Sequence, residues 1–243
     1  MLVPRLVAKR SLKTSILYQA SSKYSMLTQP GIAILIDCWE YPRTINDLRM
    51  LGNQNMYERM LAFIAGTRQI KTVILASHLR YEYMNSDAVW YQNSRNMFHS
   101  ALELPSSLVE SAQHSDSWEL NDPNRNRTFH IKTHPTVLNW NPVDSGKFLI
   151  AMDWEWQLRY YLSQNPELRT AYIFGIAWKQ CVHTRPLGVY ALSRLSGLKI
   201  LTHQDFVLSE EYQPVDISSD PEWMPLSDKI YRCRPNWAPH MVK

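Results

Sequence analysis

The chain has 243 residues, of which 45% are hydrophobic and 20% charged. This length and balance are typical of one sizeable α/β domain and argue against a disordered or fibrous protein. The net charge of +4 is mild, and much of the basic excess lies in the first 36 residues, which contain no acidic residue. A nucleic-acid partner is therefore not expected, because nucleic-acid-binding domains usually carry a strongly basic face.

The three cysteines, Cys38, Cys181 and Cys233, are far apart and form no CxxC pair. This spacing argues against a disulfide scaffold or a zinc ribbon and favours a reducing, cytoplasmic compartment. The acid-free N-terminus has two interpretations, a basic arm over residues 1–30 or a mitochondrial presequence. No window approaches the roughly 18 apolar residues of a transmembrane helix, so we expect no membrane partner.

The predicted elements alternate along the chain: strand 32–37, helix 47–66, strand 72–76, helix 86–102, strand 128–131, helix 145–164, strand 171–176, helix 181–195 and strand 199–202. The first strand is a short apolar run, IAILID, which is typical of a fully buried parallel strand. Pro186 is a local irregularity in the last helix. The alternation predicts a three-layer α/β/α fold with a mostly parallel sheet.

The domain is predicted to occupy residues 31–205, after the arm. Beyond it the chain contains five prolines and little periodicity. We therefore expect a proline-rich extension over residues 206–243, which lies over the domain or reaches a neighbouring subunit.

Three reactive residues fall at or just beyond the ends of predicted strands: Asp37 after the first, Lys132 after the third and Cys181 after the fourth. Ligands of open parallel sheets bind outside the carboxyl ends of the strands. The three side chains are therefore expected to meet at one edge of the sheet.

The segment GIAWKQCVHT at 175–184 resembles the Gly-x5-Cys-Val-x-Thr signature of isochorismatase-like cysteine hydrolases. Upstream, ILID at 34–37 is similar to the family's first strand and its acid. Ile131-Lys132, with Thr136 beyond it, is similar to the family's lysine motif. The resemblance covers about residues 31–205, with the motifs in the family's order.

The resemblance implies that Cys181 attacks a carbonyl carbon and forms a thioester, while Asp37 takes and returns the thiol proton. Lys132 would stabilise the thiolate, and a helix starting at the cysteine would lower its pKa toward neutrality. Backbone N–H groups of Cys181 and of the turn at Ile176, Ala177 and Trp178 would stabilise the oxyanion. The family's non-proline cis peptide would fall between Ile176 and Ala177.

Other residues near these motifs are candidates for the pocket: Trp39, His78 and Thr136. Trp178 stands where the family commonly has Thr or Ser, and we expect it to narrow or reshape the pocket. Arg185-Pro186 replaces the small residues usual after the cysteine motif. The zinc-binding Asp-x-His of nicotinamidase-like members is Ala76-Ser77-His78 here, so no metal or cofactor is expected.

The leading interpretation is a hydrolase of carbon–nitrogen bonds in a small amide, carbamoyl or ureido substrate. Vinyl-ether hydrolysis of the isochorismatase type is a second enzymatic interpretation, which needs the acid but not the thiol. The third is a catalytically silent relative that acts as a binding or assembly subunit. A homo-oligomer with contacts from the arm or the tail is expected.

Overall fold

The computed structural model describes residues 29–38, 55–76, 87–98, 133–142, 145–209 and 213–234. In these ranges seven strands form one sheet: β1 (Gly31–Ile36), β2 (Ile70–Ala76), β3 (Phe148–Ala151), β4 (Thr170–Gly175), β5 (Lys199–His203), β6 (Trp223–Pro225) and β7 (Ile230–Cys233). The helices are α1 (Met56–Gly66), α2 (Val89–Phe98), α3 (Pro135–Leu138), α4 (Glu155–Gln164), the π-helix Trp178–Val182 and α5 (Val189–Leu192). Two 3₁₀ turns follow, Gln204–Phe206 and Ile217–Ser219.

The strands lie in the order β3-β2-β1-β4-β5-β7-β6. The five strands from β3 to β5 are parallel, and β6 and β7 are antiparallel to their neighbours. The chain thus adds β2 and β3 on one side of β1 and then returns to add β4 and β5 on the other. This reversal creates a topological switch point between β1 and β4. The predicted mostly parallel α/β fold is confirmed at this level.

Both faces of β1 are buried, which explains its unbroken apolar sequence. Ile32, Ile34 and Ile36 belong to one buried cluster, which includes residues of α4 and α5. Ala33 and Leu35 point the other way, into a second cluster that includes residues of α1. Burying each large aliphatic side chain stabilises the fold by roughly 1.5–3 kcal/mol.

The third strand of the sheet is not the predicted one. The expected strand over 128–131 lies outside the described residues, and β3 (Phe148–Ala151) pairs with β2 where a helix over 145–164 was predicted. That helix is wrong in its first half, and only Glu155–Gln164 is helical. The run FLIA fits a buried strand or a buried helix equally well, and pairing with β2 decides between them.

The predicted helix over 181–195 is also wrong in its continuity. A π-helix, Trp178–Val182, begins before the cysteine, residues 183–184 continue it as α-helix, and the next α-helix is Val189–Leu192. Pro186 falls between them, where its missing N–H and its ring oppose helix continuation.

The C-terminal segment extends the sheet instead of only covering it. β7 pairs antiparallel with β5, and β6 pairs antiparallel with β7. Two strands of the predicted extension therefore belong to the central sheet. None of the helices in the described ranges has both the length and the apolar character needed to cross a membrane.

Candidate active site

The carboxyl ends of β1 and β4 form the candidate site. The two strands pair in register along their length and end with Ile36 opposite Gly175. Asp37 directly follows β1, and the turn to Cys181 directly follows β4. Because these strands flank the switch point, Asp37 and the turn between β4 and Cys181 lie side by side at the edge where doubly wound folds bind ligands.

Gly175 allows the two strand ends to approach each other closely. Its φ is +145°, and a Cβ at this position would lie 2.0 Å from the carbonyl oxygen of Ile36. Its own carbonyl accepts a hydrogen bond from the Leu208 N–H at 3.0 Å. The glycine that opens the Gly-x5-Cys segment is therefore required by backbone packing.

The turn after β4 is built without a cis peptide bond. No cis bond occurs among the described residues, so the one expected between Ile176 and Ala177 is wrong. Instead, Gly175 and Ala177 both have positive φ, and Ala177 is left-handed at +61°. Left-handed backbone is uncommon for alanine and is found where the surrounding structure imposes it.

Two of the N–H groups predicted to bind an oxyanion are already hydrogen-bonded. The Ile176 N–H donates to the Ile36 carbonyl at 3.3 Å, and the Trp178 N–H donates to the Leu208 carbonyl at 2.9 Å. Neither N–H can hold an oxyanion while these bonds are intact. The assignments of the Ala177 and Cys181 N–H groups stay predictions.

Asp37 is a fully buried carboxylate with one strong partner. The Nε of Arg185 donates to its Oδ2 at 2.8 Å, and its own backbone has a left-handed φ of +50°. Its Oδ1 is buried and accepts no hydrogen bond of regular geometry from a described residue. Burial raises the pKa of the Asp37 carboxyl, and the Arg185 cation and the Cys181 thiol oppose that rise. The Cys181 thiol thus interacts with the Asp37 carboxyl, and Oδ1 of Asp37 has no hydrogen-bond partner among the described residues.

Cys181 is half-buried and lies beside this carboxylate. Burial, followed by the negative charge of Asp37, raises the pKa of its thiol to about 12, and the Arg185 cation offsets only part of the rise. The expected pKa near neutrality is therefore wrong. The helix N-terminus that was expected to lower this pKa is also absent, because Cys181 is the fourth residue of the π-helix Trp178–Val182. At pH 7 the thiol is protonated.

Arg185 is a member of the site that sequence reasoning missed. The sequence marks it only as a departure from the family's pattern. It follows Cys181 by four residues, and residues at that spacing in helical backbone lie on the same face. The spacing was the one available signal, but a pairing with Asp37, far away in sequence, is visible only in the folded chain.

Trp178 lies in the core, where its side chain is 1% exposed. Its Nε1 donates to Oδ2 of Asp220 at 3.2 Å. Its ring centroid is 4.7 Å from that of His183 and 5.3 Å from that of Trp223. These contacts direct it toward the C-terminal segment, and they do not support the expectation that it narrows the pocket.

Three of the predicted site residues, Lys132, Trp39 and His78, lie outside the described residues. Thr136 is described: it is half-buried in α3, and its backbone N–H donates to Nδ1 of His134 at 3.2 Å. Its role in a pocket stays a prediction.

Comparison with known proteins gives no relative. No protein-family model matches the chain, and no curated protein or solved structure is significantly similar to it. The resemblance to isochorismatase-like hydrolases therefore rests on the residues quoted above. Within the described ranges, no group of three or more His, Cys, Asp or Glu side chains is arranged to hold a metal ion.

Proposed function

We propose that this protein is a thiol-dependent hydrolase of carbon–nitrogen bonds in small amides, with Cys181 as nucleophile and Asp37 as general base. The observation that carries the proposal is the meeting of these two side chains at the β1–β4 switch point. They are far apart in sequence, and the cysteine's thiol interacts with the buried carboxylate. A nucleophile beside a base at a ligand-binding sheet edge is the arrangement that acyl transfer requires.

The pKa shifts favour a particular order of proton transfer. A thiol with a pKa of about 12 is neutral at rest, so its proton must leave as the sulfur attacks the carbonyl carbon. The raised pKa of Asp37 makes the carboxylate a better proton acceptor than an ordinary aspartate. Asp37 then gives this proton to the departing amine, the thioester remains on Cys181, and water hydrolyses it to the acid.

Lys132 is proposed as a second cation of this site. The residues that follow it lie beside the end of β1, because the His134 N–H donates to the Cys38 carbonyl at 2.8 Å. Cys38 directly follows Asp37, so this bond supports a lysine motif close to the base. An ammonium group there would stabilise the thiolate that forms during attack.

The isochorismatase-like fold with three layers is part of the same proposal. Its support is the parallel strand order and the buried clusters on the two faces of the sheet. The order of the quoted motifs along the chain adds to that support.

Ammonia release from a panel of small carboxamides, carbamoyl and ureido compounds tests the proposal. We expect the native chain to release ammonia from at least one compound and Cys181→Ala to release none. Cys233→Ala is the matched control, because Cys233 is a buried cysteine in β7. Equal release by native protein and Cys181→Ala would refute the nucleophile and favour thiol-free hydrolysis, such as that of a vinyl ether.

The second candidate is a catalytically silent binding or assembly subunit. The closed ion pair between Arg185 and the fully buried Asp37, beside a neutral thiol, favours it. This candidate predicts no release by any variant. It also predicts an oligomer that dissociates when residues 1–30 or 235–243 are removed, which analytical ultracentrifugation would measure.

A further inference from the structure

Arg185 contacts both members of the candidate pair. Its Nε lies 2.8 Å from Oδ2 of Asp37, and its side chain is only 13% exposed. Its backbone N–H donates to the carbonyl oxygen of Cys181 at 3.1 Å. One residue therefore ties the base to the turn that carries the nucleophile.

The backbone after the π-helix holds Arg185 in this position. The Gly188 N–H donates to the Arg185 carbonyl at 2.7 Å. A Cβ on Gly188 would lie 2.7, 2.8 and 2.9 Å from the carbonyl oxygens of Val182, His183 and Arg185, closer than real side chains approach. The turn closes tightly only with glycine here, so the placement of Arg185 is built into the fold.

We infer that Arg185 is the positioning residue of this site: by occupying Oδ2 of Asp37, it leaves Oδ1 as the oxygen that accepts the Cys181 proton. The inference rests on the proposed function. Its geometric basis is the contrast between the two oxygens, since Oδ2 is hydrogen-bonded to a cation while Oδ1 is buried without a partner among the described residues.

The proton balance of the step follows from this arrangement. The S–H bond of Cys181 breaks, an O–H bond forms at Oδ1 of Asp37, and a sulfur electron pair forms the bond to the substrate carbonyl carbon while the C=O π pair moves to the carbonyl oxygen. When that pair re-forms the C=O double bond and the C–N bond breaks, the proton moves from Oδ1 to the nitrogen of the leaving amine. Arg185 exchanges no proton in either step, because guanidinium remains charged.

Two side chains among the described residues act on the pKa of the Asp37 carboxyl, Arg185 and Cys181. The Asp37 charge in turn raises the pKa of the Cys38 thiol, which directly follows it in the chain. Both thiols are neutral at pH 7, because burial raises their pKa values. Arg185 is therefore the cation that opposes the effect of burial on Asp37. Without it, the carboxyl would be protonated over a wider pH range and would lose its capacity as a base.

The test compares Arg185→Met with Arg185→Lys in the full chain. Both replacements are unbranched and leave similar space around Cys181, so the difference between them reports the charge. The rate of alkylation of Cys181 by iodoacetamide is followed from about pH 7 to 10 by mass spectrometry of the cysteine peptides. Alkylation of Cys233 in the same samples is the internal control.

We expect Cys181 to be alkylated more slowly in Arg185→Met than in Arg185→Lys. Each unit of pKa gained by the thiol lowers its thiolate fraction about tenfold, and the greater nucleophilicity of the thiolate reduces the net loss to about threefold. In amide turnover, the acidic limb of the Arg185→Met profile moves to higher pH, and Arg185→Lys restores it. Equal alkylation rates in the two variants would overturn the inference.

Alkylation requires no amide substrate, so the two proposals can fail separately. If no amide releases ammonia but the two variants differ in alkylation rate as expected, the proposed hydrolase activity is refuted and the electrostatic role of Arg185 is supported. If Arg185→Met does not fold, the double variant Asp37→Asn/Arg185→Met decides. If the double variant folds and Arg185→Met does not, folding needs Arg185 because it balances the buried charge of Asp37. Failure of both shows a purely structural role and refutes the inference.

Discussion

Replacing Gly175 with alanine tests whether the close approach of β1 and β4 builds the site. The new Cβ would lie 2.0 Å from the Ile36 carbonyl oxygen, and φ is +145°. Backbone strain of this kind costs about 1–3 kcal/mol. Forcing an extra methyl group into packed surroundings costs about 1–3 kcal/mol more. We expect a loss of about 4 kcal/mol, which lowers the Tm of a chain of this size by roughly 10 °C.

Gly66→Ala is the matched control for this prediction. Gly66 ends α1, and a Cβ there would meet nothing within 4 Å. Alanine is the better helix residue, so the control should be neutral or stabilised by up to about 1 kcal/mol. Circular dichroism melts of the two variants measure the difference. Equal Tm values would show that the β1–β4 contact relaxes freely and would refute the packing argument.

Three further predictions concern the site and its surroundings. Asp37→Asn should increase the rate at which iodoacetamide alkylates Cys181, because the Asp37 charge raises the pKa of the thiol. The same variant should lose amide turnover. Slower alkylation of Cys181 would contradict the electrostatic account. Above about pH 8.5 the free energy of unfolding should fall as the pH rises, because the folded state retains the protons of Cys181 and Cys233, whose pKa values are about 12 and about 11. The loss is at most about 1.4 kcal/mol per pH unit for each thiol, and denaturant titrations at several pH values measure it. Trp178→Phe should lower the free energy of unfolding by about 1 kcal/mol, because it removes the hydrogen bond to Asp220. Trp178→Ala should lower it further, because it also leaves a cavity in the core, so a larger loss in urea unfolding for Trp178→Phe than for Trp178→Ala would contradict this packing.

Local patterns were sufficient to predict most of the described parallel strands. The buried runs of β1, β2, β4 and β5 are short, apolar and bounded by polar or turn residues, and the structure has strands within one or two residues of the predicted bounds. β3 could not be assigned in this way, because an apolar run of four residues has no decisive period. Its pairing partner is about 75 residues away in sequence, so only the assembled sheet selects the strand.

The candidate site was predictable in its reactive groups but not in its electrostatics. Asp37 and Cys181 stand out because each follows a buried strand. Arg185 does not stand out, because its importance comes from an ion pair with a residue 148 positions away. The sign of the thiol's pKa shift was also missed, because desolvation depends on every atom packed around the sulfur.

The sequence by itself determined the two buried strands that precede Asp37 and Cys181, and the glycine at the end of the second, since these follow from local hydrophobicity and backbone freedom. Only the tertiary structure decided that β4 lies beside β1, that Arg185 pairs with Asp37, and that the thiol is protonated at rest. Strand order, ion pairing and desolvation are properties of distant residues brought together, and no local pattern encodes them.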